Sequence, residues 1–372
     1  MSVAFSQNED DIEDEQPMNK KVFAEIQKRG HEQVTFFHDP EVGLRAIVAI
    51  HNTVLGPSLG GCRMRLYDNE DEAIDDALRL AEGMTYKSSV AGLNLGGGKS
   101  CILADPNMKG EERTKLFAKF GQCLNDLAGR YITAEDMGTS VEDVMVMREH
   151  TKYAAGFAQD QGGGGDPSPW TALGVFGGIR AACERRYGGK DLTGKHIVVQ
   201  GAGHVGEYLI EHLVKAGARV TVSDTNDFKV QNMRKKFDVE IASVDAIYDV
   251  DCDVYSPCAV GQTVNRKTLP RLKCDIISGG ANNQLMDEGV YDLIQSRGML
   301  YVPDFVVNAG GIISVAGEYE EGGWSRDWVM GKVNDIYDTV HTVLEQSEVR
   351  GKFPEIVAIE LAKERIAQVH AE

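Results

Sequence analysis

Two apolar runs with strand-like character, VTFFH from Val34 and LRAIVAI from Leu44, flank the polar segment Asp39-Pro40-Glu41-Val42-Gly43, a pattern that predicts an antiparallel hairpin. Beyond it the period changes. Ala73, Ile74, Ala77, Leu78, Ala81 and Met84 recur at spacings of three and four, with acidic residues in the first turns, which predicts a helix carrying Lys87 at its end. A short strand at 101–103, a helix around 113–127, the strand Tyr131-Ile132-Thr133 and a polar helix near 141–149 complete a first α/β unit. Residues 158–169, AQDQGGGGDPSP, have no periodicity and read as a domain junction or mobile loop. After them HIVVQ, RVTVSD, VEIA, DVYSPCA, DIISGG and MLYVPD alternate with helical or connecting stretches, the signature of parallel strands in a doubly wound sheet. Residues 327–371 read as helical with one break at 351–354.

A chain of 372 residues exceeds one core, so two domains are expected. With 42% apolar and 26% charged residues it has the make-up of a soluble globular protein. The balance of 39 basic to 57 acidic residues, a formal −18, leaves no basic patch for nucleic acid or an anionic membrane. Seven cysteines without a C-x-x-C pair read as reduced core residues, and the scattered histidines show no metal spacing, so neither disulfides nor a metal is expected. No unbroken apolar run nears the length of a membrane span, and the acidic residues 1–18 read as a solvated leader. A cytoplasmic protein is expected.

Three segments carry candidate chemistry. Gly201-Ala202-Gly203-His204-Val205-Gly206 follows the strand HIVVQ and opens a helix, the full context of a dinucleotide fingerprint. Asp224 ends the next strand, near the ~20-residue separation at which a carboxylate meets the adenosine ribose, and it disfavours a 2′-phosphate, so NAD is expected over NADP. Gly96-Gly97-Gly98-Lys99-Ser100 is one residue out of register for a phosphate loop and precedes a strand rather than a helix. The three glycines instead let a substrate press against backbone beside Lys99, whose pKa an apolar enclosure and a second cation, Lys87, would drive down. Alone, Lys87 reads as a solvated lysine at a helix end. Asp136, in TAEDMGT at the end of a strand, is either a proton-transfer group or a cap for the following helix. Asn282-Asn283 and Asn308-Ala309-Gly310-Gly311 follow later strands.

With LGGCRM, GMTYKSSVAGLNLGGGK, ITAEDMGT, GDPSPWTALGV, GAGHVG, GGANNQL and NAGG in this order, the chain resembles the glutamate/leucine/phenylalanine/valine dehydrogenase family, its leucine-type members most, from about Phe36 onward. The resemblance implies an α/β fold of two domains. A substrate-binding and oligomerisation domain would span 19–157, rejoined by C-terminal helices at 345–372, and a Rossmann-type, doubly wound parallel-sheet NAD domain would span 158–344. It further implies that Lys87 holds the substrate α-carboxylate beside Gly60, Gly61 and Met84. Lys99 would be the catalytic base that activates water, and Asp136 the second proton-transfer group. Thr171, Ala259 and the glycine fingerprint would contact NAD, and Asn283 would lie where nicotinamide meets substrate.

The reaction so implied is oxidative deamination of an L-amino acid to its 2-oxo acid and ammonia, and the reverse, by a homo-oligomer. Leu59, Ala134, Ile312 and Val315 would line the side-chain pocket, and their aliphatic character favours leucine, valine or isoleucine. An aromatic substrate is the alternative, since one methylene alters discrimination by only ~1–3 kcal/mol. A catalytically silent NAD-binding oligomer is the alternative of another class. The glycine run before Asp166 and the indole of Trp170 depart from the leucine-type pattern, and bear on either the width of the cleft or its hinge.

Overall fold

The computed structural model describes residues 22–371, so the acidic leader expected over residues 1–18 lies outside them. The first unit runs α1 (Val22–Arg29), β1 (Gln33–Asp39), β2 (Leu44–Asn52), β3 (Ser58–Arg65), α2 (Glu70–Val90), β4 (Gly96–Leu103), α3 (Gly110–Leu124), β5 (Tyr131–Glu135) and α4 (Val141–Arg148). Its sheet has the order β1-β2-β4-β3-β5. The predicted hairpin pairs Gln33 with Ile50 through to Asp39 with Leu44, whereas β3 runs parallel to both β4 and β5.

Alternation along the strands divides the core in two. Ile47, Ala49 and Cys101 meet Ala73, Ile74, Ala77, Leu78 and Ala81 of α2, the stripe foreseen from its spacing. Ala46, Val48, Cys62, Met64 and Ile102 point the other way, against Leu116, Phe117 and Phe120 of α3. Each large side chain so buried stabilises the fold by roughly 1.5–3 kcal/mol. Asn69 caps α2 by accepting from the Glu72 amide.

Strand β3 has no counterpart in the predicted pattern, because SLGGCRMR carries two glycines, no alternation, and mostly buried residues on both faces. The glycine run is also corrected. Gly96, Gly97 and Gly98 lie inside β4, and what presses on them is protein. A Cβ on Gly97 would stand 2.0 Å from the Thr85 amide of α2, one on Gly96 1.8 Å from the Asn52 carbonyl, and one on Gly98 2.7 Å from the Tyr131 ring. The run lets α2 settle onto the sheet and so fixes where Lys87 stands.

The second unit begins with α5 (Ser168–Tyr187) and continues β6 (His196–Gln200), α6 (His204–Lys215), β7 (Arg219–Ser223), α7 (Asp227–Phe237), β8 (Glu240–Ile241), β9 (Val254–Pro257) and β10 (Ile276–Ile277). It ends with α8 (Tyr291–Ser296), β11 (Leu300–Tyr301), α9 (Asp304–Val307), α10 (Gly310–Ala316), α11 (Arg326–Arg350) and α12 (Pro354–Ala371). All six strands pair in parallel in the order β11-β10-β9-β6-β7-β8, the order of a dinucleotide fold whose topological switch lies between β9 and β6. The C-terminal helices break at Gly351, in the left-handed conformation, as foreseen.

Helix α12 returns to the first unit. Ser89 of α2 donates to the Ala362 carbonyl at 2.8 Å, and Arg365 donates to the carbonyls of Ser89 and Leu93. The glycine-rich junction is tied down by Glu318, whose carboxylate accepts the amides of Gly156 and Gly164, each at 2.8 Å. Trp170 is buried against Trp324, centroids 6.1 Å apart, so its indole fills the core. No helix among the described residues is long and apolar enough to cross a membrane.

Gly97→Ala forces α2 off the sheet and is expected to destabilise by about 1–3 kcal/mol, the usual range for overpacking. Gly331→Ala, inside α11 where a Cβ meets nothing within 4 Å, is expected to be neutral or to stabilise by up to about 1 kcal/mol. Thermal denaturation of the two variants checks both signs.

Candidate active site

Between the two sheets lies a cavity of about 620 Å³. From the first unit Leu59, Gly60 and Gly61 of β3, Met84 and Lys87 of α2, Lys99 of β4, and Ala134 and Asp136 at the end of β5 line it; from the second come Asn283, Ile312 and Val315. The candidate substrate and catalytic residues thus meet on one surface.

The centre is built across three strands. Alternate positions on β3, β4 and β5 face the same way, so Gly61, Lys99 and Ala134 share a face, with Asp136 just beyond the strand end. Lys99 and Asp136 stand on either side of β3, and Gly61 leaves the space in which they meet. A Cβ there would lie 2.6 Å from the Asp136 Cβ and 3.3 Å from the Lys99 Nζ. Lys99 Nζ is 2.9 Å from Asp136 Oδ2, and the lysine is buried. Gly60 permits a second close approach, since a Cβ on it would lie 1.7 Å from the Gly98 carbonyl oxygen.

The alternatives for Asp136 narrow here, and the two lysines differ in pairing. Asp136 is not a helix cap: Ser140 caps α4 in a reciprocal pair with Asp143. Burial alone would raise the Asp136 pKa, but the cations of Lys99 and Arg63 outweigh it and hold the carboxyl at about 2. Lys87, not Lys99, is the lysine left without a carboxylate. Among the described residues it is the one cation lining the cavity that has no ion-pair partner, because Lys99, Arg63 and Arg79 are all engaged by Asp136 or Asp76. Burial, opposed by Asp304 and Asp136 and assisted by Lys99, lowers the Lys87 pKa to about 8.

Beyond the residues singled out in the sequence, the cavity takes in Arg63, Glu288, Asp304 and Glu355. Arg63 belongs to the LGGCRM motif, but without β3 nothing there distinguished it. Asp304 follows β11 at the carboxyl edge of the parallel sheet, a position that could have marked it. It is buried and accepts from the Gln284 amide at 2.9 Å. Glu355 arrives on α12, and burial with Asp304 and Glu288 pushes its carboxyl up to about 8. Only the return of α12 brings it here.

The fingerprint residues gather at the carboxyl edge of β6, β7 and β9, outside the cavity wall. Gly201 has φ +112° and abuts Ala259, where a Cβ would lie 2.8 Å from the amide nitrogen. A Cβ on Gly206 would stand 2.1 Å from the Gly201 carbonyl oxygen, so this glycine seats α6 against the strand. Beside Gly203, by contrast, a Cβ would meet nothing within 4 Å, leaving an open cradle at the N-terminus of α6. The arrangement fits a dinucleotide pyrophosphate. Asp224 accepts the amides of Ala202 and Asn226, and His204 is exposed 3.7 Å from Asp166 of the junction. Val205 packs beneath Gly280, and the Thr171 hydroxyl donates to Pro167 beside Gly311. Asn283, at φ +51°, belongs to the cavity.

Comparison with known proteins agrees with this geometry. Residues 31–153 match the Glu/Leu/Phe/Val dehydrogenase dimerisation domain, and residues 162–228 and 225–372 match the glutamate/leucine/phenylalanine/valine dehydrogenase domain. Leucine dehydrogenase of Bacillus cereus is 46% identical over 352 residues, 95% of each chain, and phenylalanine dehydrogenase of Thermoactinomyces intermedius is 42% identical over 331 residues, covering 88% of this chain and 89% of that one. The crystal structure of L-tryptophan dehydrogenase from Nostoc punctiforme superposes with a TM-score of 0.83 at 37% identity, over 94% of this chain and 99% of that one. With both halves matched and the paired lysines on one cleft, the chain belongs to the glutamate/leucine/phenylalanine/valine dehydrogenase family of amino-acid oxidoreductases.

Proposed function

We propose that the protein catalyses the NAD-dependent oxidative deamination of leucine, valine or isoleucine to the 2-oxo acid and ammonia, and the reverse reductive amination. One observation carries this reading: the unpaired cation Lys87 stands beside the Lys99–Asp136 pair on a cavity whose wall at Leu59, Ala134, Ile312 and Val315 is aliphatic. The α-carboxylate pairs with Lys87, the side chain takes the aliphatic wall, and Cα lies toward Lys99 and Asp136. The acidic groups Glu288 and Asp304 on the lining disfavour a second carboxylate in the substrate, against glutamate. The relatives acting on leucine at 44–46% identity support the aliphatic assignment over the aromatic one.

The glycine cradle, Thr171, Ala259 and Asp224 would hold the cofactor, with Asn283 between cofactor and substrate. When bound, it supplies the two-electron acceptor that takes the amino acid to its imino acid. Lys99, having given up its own proton to solvent, then removes one from water as the water oxygen adds to the imine carbon. Asp136, 2.9 Å from the Lys99 amine, returns that proton to the nitrogen. Lys99, neutral again, takes the new hydroxyl proton as the carbon–nitrogen bond breaks, and ammonia and the 2-oxo acid leave. The charge of Asp224 supports NAD over NADP. A homo-oligomer is supported by the match of the first unit to a dimerisation domain, and the free cysteines fit a reducing, cytoplasmic setting.

In steady-state assays with NAD, kcat/KM is expected to be highest for a branched-chain amino acid; a dominant phenylalanine or tryptophan overturns the substrate assignment. Lys99→Ala is expected to abolish deamination while NADH binding, followed by fluorescence, persists. Lys87 must be protonated to hold the carboxylate, so its contribution to kcat/KM is present below about pH 8 and fades as the pH rises through that value. Lys87→Met is expected to lose this dependence and raise KM by about 10- to 100-fold, the worth of a charge-assisted hydrogen bond. Asp224→Asn keeps an acceptor for the Ala202 amide but removes the charge, and is expected to raise the NADP-to-NAD ratio of kcat/KM by at least about tenfold.

A further inference from the structure

Arg63 has no role in the mechanism above, yet it is hydrogen-bonded to Asp136. It lies two residues beyond Gly61 on β3 and so on the same face. Its Nε donates to Asp136 Oδ2 at 2.8 Å, the oxygen that Lys99 Nζ approaches at 2.9 Å. Oδ1 of Asp136 takes no hydrogen bond from any described residue. The other arm of the guanidinium is anchored: its NH1 donates to both oxygens of Asp76 on α2, at 2.9 and 3.3 Å. Asp76 is buried and is itself held by Tyr67 at 3.1 Å and Arg79 at 2.8 Å.

We propose that Arg63 is the positioning residue of the site: it fixes Asp136 with Oδ2 occupied and Oδ1 free for the substrate nitrogen, and keeps that carboxylate paired throughout the reaction. This rests on the assignment of Lys99 as the base. The physical reason is pairing. A carboxylate facing Lys99 alone would be left a buried, unpaired anion whenever the lysine is neutral. With the guanidinium on the same oxygen, Asp136 stays paired whichever state Lys99 is in. The fork of Arg63, planar and always charged, can span Asp136 and Asp76 at once. The charged groups around Asp136 are Lys99 from β4 and Arg63 from β3, with Lys87 from α2 at longer range and Glu135 beside it in the chain; around Arg63 they are Asp136 and Asp76. None of the others occupies Oδ2.

The test is the pH dependence of deamination of the preferred branched-chain amino acid by Arg63→Gln and Arg63→Lys, with NADH binding as the check of folding. Arg63→Gln is expected to lower kcat about ten- to hundredfold through misplacement of Asp136, with less change in KM. It is also expected to move the acid limb of the profile upward by roughly one unit, because Asp136, relieved of one of the two cations that hold it ionised, protonates more readily. Arg63→Lys restores the charge but not the fork, so its acid limb should return toward the native position while kcat stays several-fold low. A native profile and native kcat in Arg63→Gln overturns the proposal. Should that variant not bind NADH, Arg63→Lys decides, and native kcat there overturns it equally. Failure of the underlying assignment looks different: Lys99→Ala would retain turnover.

Discussion

The ion pair between Lys99 and Asp136 is the interaction on which the rest of the site depends, and it exists because β3 lacks a side chain at Gly61. The two groups belong to strands that are not neighbours, since β3 lies between β4 and β5. They reach each other only over a residue with no Cβ. Gly60 and the run at Gly96 to Gly98 extend the same device, allowing backbone, ring and helix to approach β3 and β4 closely. Glycine in this sheet therefore serves two ends. At Gly61 it clears room for chemistry, and at Gly97 it lets α2 come down so that Lys87 faces the same space.

Charge in the cavity is distributed by burial and pairing together. Asp136 is held as a carboxylate by two cations, whereas Lys87 has no ion-pair partner of its own among the described residues. An unpaired buried charge is costly, and a ligand carboxylate relieves that cost. Asp304, Glu288 and Glu355 add acidic groups to the lining, and at Glu355 burial and its neighbours favour the protonated form. A substrate with one carboxylate, one amine and an apolar side chain suits a lining with one unpaired cation, a carboxylate with a free oxygen and an aliphatic wall. The cleft joins two sheets with different tasks, and the junction near Gly156 and Gly164 is clamped by Glu318, a contact between segments remote in sequence.

Much of the architecture was legible in the chain. The hairpin, the amphipathic α2, the six parallel strands of the second sheet and the broken C-terminal helices all follow from local periodicity, turn residues and caps, because these depend on neighbours within a few positions. β3 was not legible. A strand buried on both faces and carrying two glycines shows neither alternation nor a β-branched run, and its identity comes from pairing with β4 and β5. The glycines before Lys99 were read as room for a ligand, and they prove to be room for α2, Tyr131 and β2. A glycine marks close approach but does not say of what.

By itself the sequence determined that there is a dinucleotide fingerprint in its proper strand and helix, a pair of lysines and an aspartate in recognisable segments, and aliphatic residues at the four pocket positions. These are properties of short stretches, in which residue type and spacing carry the information. Only the tertiary structure decided which charge answers which: that Lys99 pairs with Asp136, that Lys87 stays unpaired, that Arg63 shares the aspartate's oxygen, and that Glu355 enters on the returning α12. Electrostatic pairing acts through space, over a few ångströms and in a medium set by burial. Residues far apart in the chain become partners through the strand order and the helix return alone.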